Sequence, residues 1–213
     1  MEELNQTFQK TRDDYLAQLN AKWPDIDNGE LGVSRQDGSI EVPFFNHAEL
    51  VDQEGGHKGG GLFGHMVSVI LFKYLLGPYQ ARDLGNGWVA FREFLDAAPL
   101  ASNFSYLVEQ KIAVACESDA ERLKGYCKEL DGIDKTGEYN YDLALEIKAL
   151  PKVPMLLLFN ASDDVFPASC TVLFKGDAAH YLDMECLVMC GMCLSLFIHK
   201  QADLDDAPGR NEN

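Results

Sequence analysis

Residues 2 to 23 place Leu4, Phe8, Tyr15, Leu19 and Trp23 at near-helical spacing among charged neighbours, which predicts an amphipathic helix closed by Pro24. A polar, glycine-bearing loop follows to Gly38. Ile40 to Phe45 then reads as a short strand, and Pro43 within it argues for a sheet edge because proline cannot donate to a ladder. Leu62 to Leu76 is an apolar helix stopped by Gly77-Pro78, and two more helices are expected at Asn103 to Cys116 and Asp119 to Leu130. The first of this pair presents Phe104, Leu107, Lys111 and Val114 along one side.

The pattern changes period at Tyr141. Tyr141, Leu143, Leu145, Ile147 and Ala149 alternate with Asp142, Ala144, Glu146 and Lys148, which predicts a strand with one wet face. Val153 to Phe159 is apolar without interruption and predicts a strand covered on both faces. The short link containing Pro151 makes the two antiparallel neighbours, and Cys170 to Phe174 supplies the third strand of a meander. Asp183 stands where an N-cap is needed for a last helix running to about His199. Helices, then a strand cluster, then a helix is the order of an α+β fold: a single compact domain over residues 1–200, with a small antiparallel meander near 140–175. Residues 201–213 are charged and poor in large apolar side chains, and are expected to form a disordered acidic tail.

Composition narrows the partners. The chain has 213 residues, and 34 acidic against 18 basic residues give a net charge of -16, which disfavours nucleic acid and anionic lipid surfaces. The N-terminal stretch lacks the basic and apolar regions of a secretory signal, and the apolar run from Cys186 to Ile198 is shorter than the roughly 20 residues of a membrane span. A cytoplasmic protein with six reduced cysteines is the expectation. Cys186, Cys190 and Cys193 have the spacing of certain iron-sulfur ligands. Yet at i, i+4 and i+7 of an apolar helix they form one stripe of small hydrophobes, so core packing is the stronger reading and no metal site is assigned. The glycine-rich segment 55–61, with His57 and Lys58, either cradles an anion at the next helix or forms a plain surface loop; the loop is the stronger reading, and no P-loop signature ends it.

Trp88, Arg92 and Glu93 lie in an aromatic segment with Phe91 and Phe94, Asp163 and Asp164 end a buried strand, and His180 precedes the last helix. These six are the candidate ligand-binding residues, because together they hold the side-chain types needed for acid-base work or for a divalent ion. Trp88, Phe91 and Phe94 are expected to carry Arg92 partly out of water and into a pair with Asp163 or Asp164.

Several segments act together as a signature: Tyr74-Leu75-Leu76-Gly77, Gly87-Trp88-x-x-Phe91-Arg92-Glu93, Ala149-Leu150-Pro151-x-x-Pro154, Asp163-Asp164-x-Phe166-Pro167, Leu173-Phe174 and His180-Tyr181-Leu182-x-x-Glu185. In order and spacing, from about Leu71 to the last helix, the chain resembles DUF3786, a family of unknown function spread among anaerobic bacteria and archaea. The resemblance implies an intracellular protein of an anaerobe, some of whose relatives carry an iron-sulfur domain. It supplies no catalytic residues, and no cofactor follows from it. Three functions compete. In order, they are an accessory protein of anaerobic metabolism that binds a small molecule or cofactor between the Trp88 segment and the Asp163-Asp164 turn, an enzyme using Arg92, Asp163, Asp164 and His180 with or without a metal, and an acidic module docking a basic partner or an iron-sulfur protein.

Overall fold

A computed structural model describes the backbone of residues 2–55, 61–81 and 84–205, with side chains from residue 9 onward and, after the glycine-rich segment, from residue 63. Residues 56–60 of the expected glycine-rich loop 55–61, with His57 and Lys58, and residues 206–213 of the expected acidic tail lie outside the described residues, as do the side chains of Leu4 and Phe8.

The elements run α1 (Glu2–Lys22), α2 (Asn28–Leu31), β1 (Ser34–Gln36), β2 (Ser39–Phe44), β3 (His47–Val51), α3 (Gly61–Leu76), β4 (Trp88–Ala90), α4 (Ala101–Phe104), α5 (Lys111–Cys116), α6 (Ala120–Lys128), β5 (Ile133–Asp134), β6 (Leu143–Leu150), β7 (Val153–Asn160), β8 (Ser169–Lys175) and α7 (Met184–Asp205). The fold is α+β, with a three-stranded sheet ordered β1-β2-β3 and a five-stranded sheet ordered β4-β8-β7-β6-β5. All pairings are antiparallel, and β6, β7 and β8 form the meander.

Register carries the strand alternation into the core. Leu143, Phe159 and Cys170 form one row across β6, β7 and β8, Leu145, Leu157 and Val172 a second, and Ile147, Met155 and Phe174 a third. These three rows face the helices and join one apolar cluster that also takes in α1, α3, α5, α6, α7 and the three-stranded sheet. On the other face, Leu156, Leu158 and Ala144 are covered by Trp88, Leu173 and Tyr139, so β7 is buried on both sides as its composition requires.

Behind the large sheet, the helical run from Ala101 to Cys116 packs on β8, α7 packs on that run, α3 packs on α7, and α1 on α3. Phe91, Phe94, Phe104 and Phe174 form an aromatic cluster at the first contact, with Phe91 and Phe104 stacked at 4.6 Å between centroids. Gly191 in α7 allows the next contact: a Cβ there would come within 2.7 Å of the Phe104 ring and 3.0 Å of Val108. Cys186, Cys190 and Cys193 are buried in the same core, so the cysteine stripe is packing. α7 is also long and apolar enough, by length and composition, to cross a membrane, but half of its apolar window is buried inside the fold.

Three expectations are corrected. β2 is central in its sheet, and Pro43 is tolerated because β1 pairs only with Ser39 to Glu41, so beyond that point β2 bonds on one side alone. The helix around residue 108 turns inward Phe104, Val108 and Ile112, while Val114 is exposed, because Ser105–Gln110 adopts a wider π-helical turn that lengthens the repeat. α7 does not end near His199. It continues to Asp205, with Ala202 buried, Arg122 Nη2 donating to the Ala202 carbonyl at 3.0 Å and Tyr126 donating to Asp205 at 2.6 Å.

Two consequences are measurable. Gly191→Ala should cost about 1–3 kcal/mol by overpacking, read from urea midpoints, with little loss if α7 does not meet Phe104 and Val108. A chain ended after Gln201 loses the α6–α7 clasp and should melt about 2–4 °C lower or more, against no change if residues 202–205 were idle.

Candidate functional site

α3 contains one side chain that does not belong in an apolar helix. Lys73 is 16% exposed, and its ammonium is met by Asp183 at 2.8 Å, with the rings of Tyr15 and Tyr79 at 5.0 and 5.1 Å. Burial works against the charged lysine, but the hydrogen bond and charge of Asp183 outweigh it, so its pKa rises. Burial likewise favours the protonated Asp183; Lys73 and the Cys186 amide win, and the carboxyl titrates below its ordinary range. The Asp183 carboxylate also accepts from Cys186 N at 2.9 Å, which makes it the N-cap of α7 as the sequence indicates.

The surrounding chain is fixed by its own polar contacts. Lys22 of α1 donates to the carbonyls of Leu76 and Gly77 at 2.6 and 2.7 Å, satisfying the end of α3. The Gly77-Pro78 peptide is cis, and Tyr79 follows it. The Tyr79 amide donates to the His180 carbonyl, and His180 Nδ1 lies 3.0 Å from the Tyr79 carbonyl; that contact requires the proton on Nδ1. The Tyr79 hydroxyl donates to the Lys73 carbonyl at 2.5 Å, and burial pushes its pKa up to about 12.

Against this pair lies a cavity of about 560 Å³. Phe94, Leu95, Leu100, Leu182 and Met184 give it apolar walls, and Lys73, Asp183, Asp96 and Glu185 supply its charge. Lys73 and Asp183 neutralise each other. Asp96 and Glu185 have no ion pair among the described residues, so the charge left to a ligand is negative.

The six sequence candidates lie elsewhere. None lines this cavity or the second cavity described below, and no hydrogen bond or ion pair joins any two of them among the described residues. Trp88 stands on the outer sheet face with Lys175 Nζ 3.9 Å above its ring. Arg92 and Glu93 fall in a 3-10 turn, Phe91–Glu93, whose repeat sends Phe91 and Phe94 into the core and leaves Arg92 and Glu93 exposed. Glu93 accepts from the Ala90 amide at 3.3 Å. The expected pair of Arg92 with the aspartates does not form, because Asp163 is taken by its own turn. Its carboxylate accepts from the Val165 and Phe166 amides at 2.7 Å each, and these bonds hold its pKa low. Asp164 is exposed beside it. His180 touches the cavity's lining indirectly, as a strut under Tyr79.

Sequence reading missed Lys73, Tyr79, Asp96 and Glu185. One signal was available: between Leu62 and Leu76 Lys73 is the only acid, lysine or arginine, and a lone charge on a wholly apolar helix must find a partner.

The thiols are set for packing. Burial lifts Cys116 to about 11 and Cys193 to about 12, and raises Cys127, Cys170, Cys186 and Cys190 as well, so all stay protonated near neutrality. Among the described residues no cluster of three or more His, Cys, Asp or Glu side chains is placed to hold a metal ion.

Because Asp183 titrates below its unfolded value near 4, it contributes stability above about pH 4 that is lost as the pH falls through its folded value. Lys73→Met should therefore cost about 1–3 kcal/mol near neutral pH, between the values for exposed and buried pairs. The gap from the parent protein should narrow on acidification as Asp183 takes up its proton. Denaturant melts across the acid range test this, and a gap independent of pH would refute the assignment.

The chain matches no curated protein and no solved structure. It does match one family model over residues 28–196, beginning well before the Leu71 from which the resemblance was legible and taking in both sheets. Two segments of that resemblance, Tyr74 to Gly77 and His180 to Glu185, meet beside the Lys73–Asp183 pair. From Asn28 to Leu196 the chain belongs to the family described as a domain of unknown function, DUF3786.

Proposed function

We propose that the protein is a small-molecule-binding accessory protein and that its ligand is an amphipathic amine seated in the Lys73–Asp183 cavity. The observation that carries the reading is the combination of apolar walls with two carboxylates, Asp96 and Glu185, that have no ion-pair partner among the described residues. Its volume lies in the range of about 300–1,000 Å³ usual for ligand sites, where apolar lining supplies affinity and a few polar groups fix orientation. A cation would find both carboxylates available, whereas a carboxylate or phosphate would have to compete with Asp183 for Lys73. The net charge of -16 raises the local concentration of cations in the same direction. The reading places the protein in a reducing cytoplasm of an anaerobe, as the family resemblance implies, and six free, buried thiols support that setting.

Small amines with aromatic or aliphatic bodies, screened by thermal shift, test the proposal. A ligand present at 100 times its Kd should stabilise the protein by about 2.7 kcal/mol, or roughly 5–10 °C. The double variant Asp96→Asn, Glu185→Gln should fold normally and lose most of the shift. Carboxylate analogues that stabilise better than amines, or a shift untouched by the double variant, would refute the reading.

A further inference from the structure

A second cavity, of about 580 Å³, opens where the β2–β3 hairpin meets α3 and α7. Its walls are Phe44, Phe45, Phe63, Val67, Leu196 and Phe197, and its polar side chains are His47, Glu49 and Lys200. We propose that it binds the hydrocarbon tail of an amphipathic carboxylate, a fatty-acid-like anion whose head group is held by Lys200 with His47 beside it.

Three observations lead there. First, apolar area is left in water where the fold could have covered it: Phe63 is 50% and Leu196 41% exposed, while Phe44, Val67 and Leu130 behind them are buried. A tail laid across them would remove that area from water. Second, one wall is held in an unfavourable backbone conformation. Phe45 has φ 52, a left-handed value that a bulky residue rarely adopts, and its amide is tied to the Ala149 carbonyl at 2.8 Å. That conformation sets the Phe45 ring edge-on to Phe44 at 4.9 Å, on the cavity wall.

Third, the charge of the three polar groups does not cancel. Glu49 is already engaged within the protein. Lys200 is exposed and has no ion-pair or hydrogen-bond partner among the described residues. Lys200 is therefore the charged lining group, among the described residues, that is left to meet a ligand. A carboxylate would complete Lys200 with a charge-assisted hydrogen bond, while the apolar walls offer a ligand body only dispersion and burial. A neutral alcohol would leave Lys200 to water and gain nothing from it, and an amine would meet like charge.

Titration calorimetry on the full chain tests this with dodecanoate, dodecanol and dodecylamine, each below its micelle concentration. One dodecanoate should bind per chain, at least about tenfold more tightly than dodecylamine, the factor that one good charge contact supplies. Lys200→Glu should remove that preference and leave dodecanol binding as it was. Leu196→Asp should weaken all three ligands, and Phe63→Ser, at another exposed wall position, should repeat the result if the first variant folds poorly. Equal affinities for dodecanoate and dodecylamine, or dodecanoate binding indifferent to Lys200→Glu, would overturn the proposal. Sedimentation with phosphatidylglycerol vesicles without binding of free dodecanoate would overturn it in favour of a lipid surface. Neither Lys200 nor Leu196 touches the Lys73–Asp183 cavity, so this result stands apart from that of the amine screen.

Discussion

The burial of the Lys73 ammonium constrains more of this molecule than any other single interaction. α3 is apolar enough to be enclosed by α1 on one side and α7 on the other, and enclosing it carries one positive charge partly out of water. An unpaired, partly buried ammonium there would cost about 1–3 kcal/mol, so the fold gains by bringing a carboxylate and electron-rich rings to one point. Tyr15 comes from α1, Tyr79 from the turn after α3, and Asp183 from the start of α7. The three lie far apart in sequence, so answering one charge fixes the relative positions of three helices.

Asp183 serves two demands with one carboxylate. It ends the ion pair and caps α7, so the start of the long core helix is tied to the end of α3. Lys22 repeats the device from α1 by satisfying the last carbonyls of α3. With these ends fixed, α7 can approach its neighbours closely, and several of its residues facing the core are small: Gly191 meets Phe104 and Val108, and cysteine occupies three inward positions. Thiols suit such a site because they are compact and polarisable and demand no hydrogen bond. Their raised pKa values are the electrostatic expression of the same packing.

The two cavities differ in the charge that the fold leaves over. In one, the lysine is paired internally and two carboxylates have no ion pair among the described residues; in the other, Glu49 has an interaction of its own and an exposed lysine has no partner among the described residues. Which charge is left over, and not the raw composition of the walls, is what a ligand would meet. A chain of net charge -16 can therefore still present an exposed lysine at the mouth of an apolar cavity.

Local periodicity determined the long helices and the meander by itself. The alternation from Leu143 to Ala149, the unbroken run from Val153 to Phe159, the apolar helices ending at Leu76 and containing Cys186 to Cys193, and the Asp183 cap all follow from spacing, because spacing decides which side chains share a face. Tertiary structure decided the rest. A proline in β2 shows that one side of the strand is free but not that β1 stops short of it, and the run from Phe104 to Ile112 does not reveal that its middle winds more widely. The candidate site was less legible still. Arg92 and Asp163 looked complementary by type, yet a 3-10 turn pointed one into solvent and two amides of its own turn claimed the other. Lys73 and Asp183, more than a hundred residues apart, found each other because α3 and α7 pack together. Sequence sets what each side chain needs, but the partner that meets the need is chosen by how distant elements pack, and that information lies in no local window.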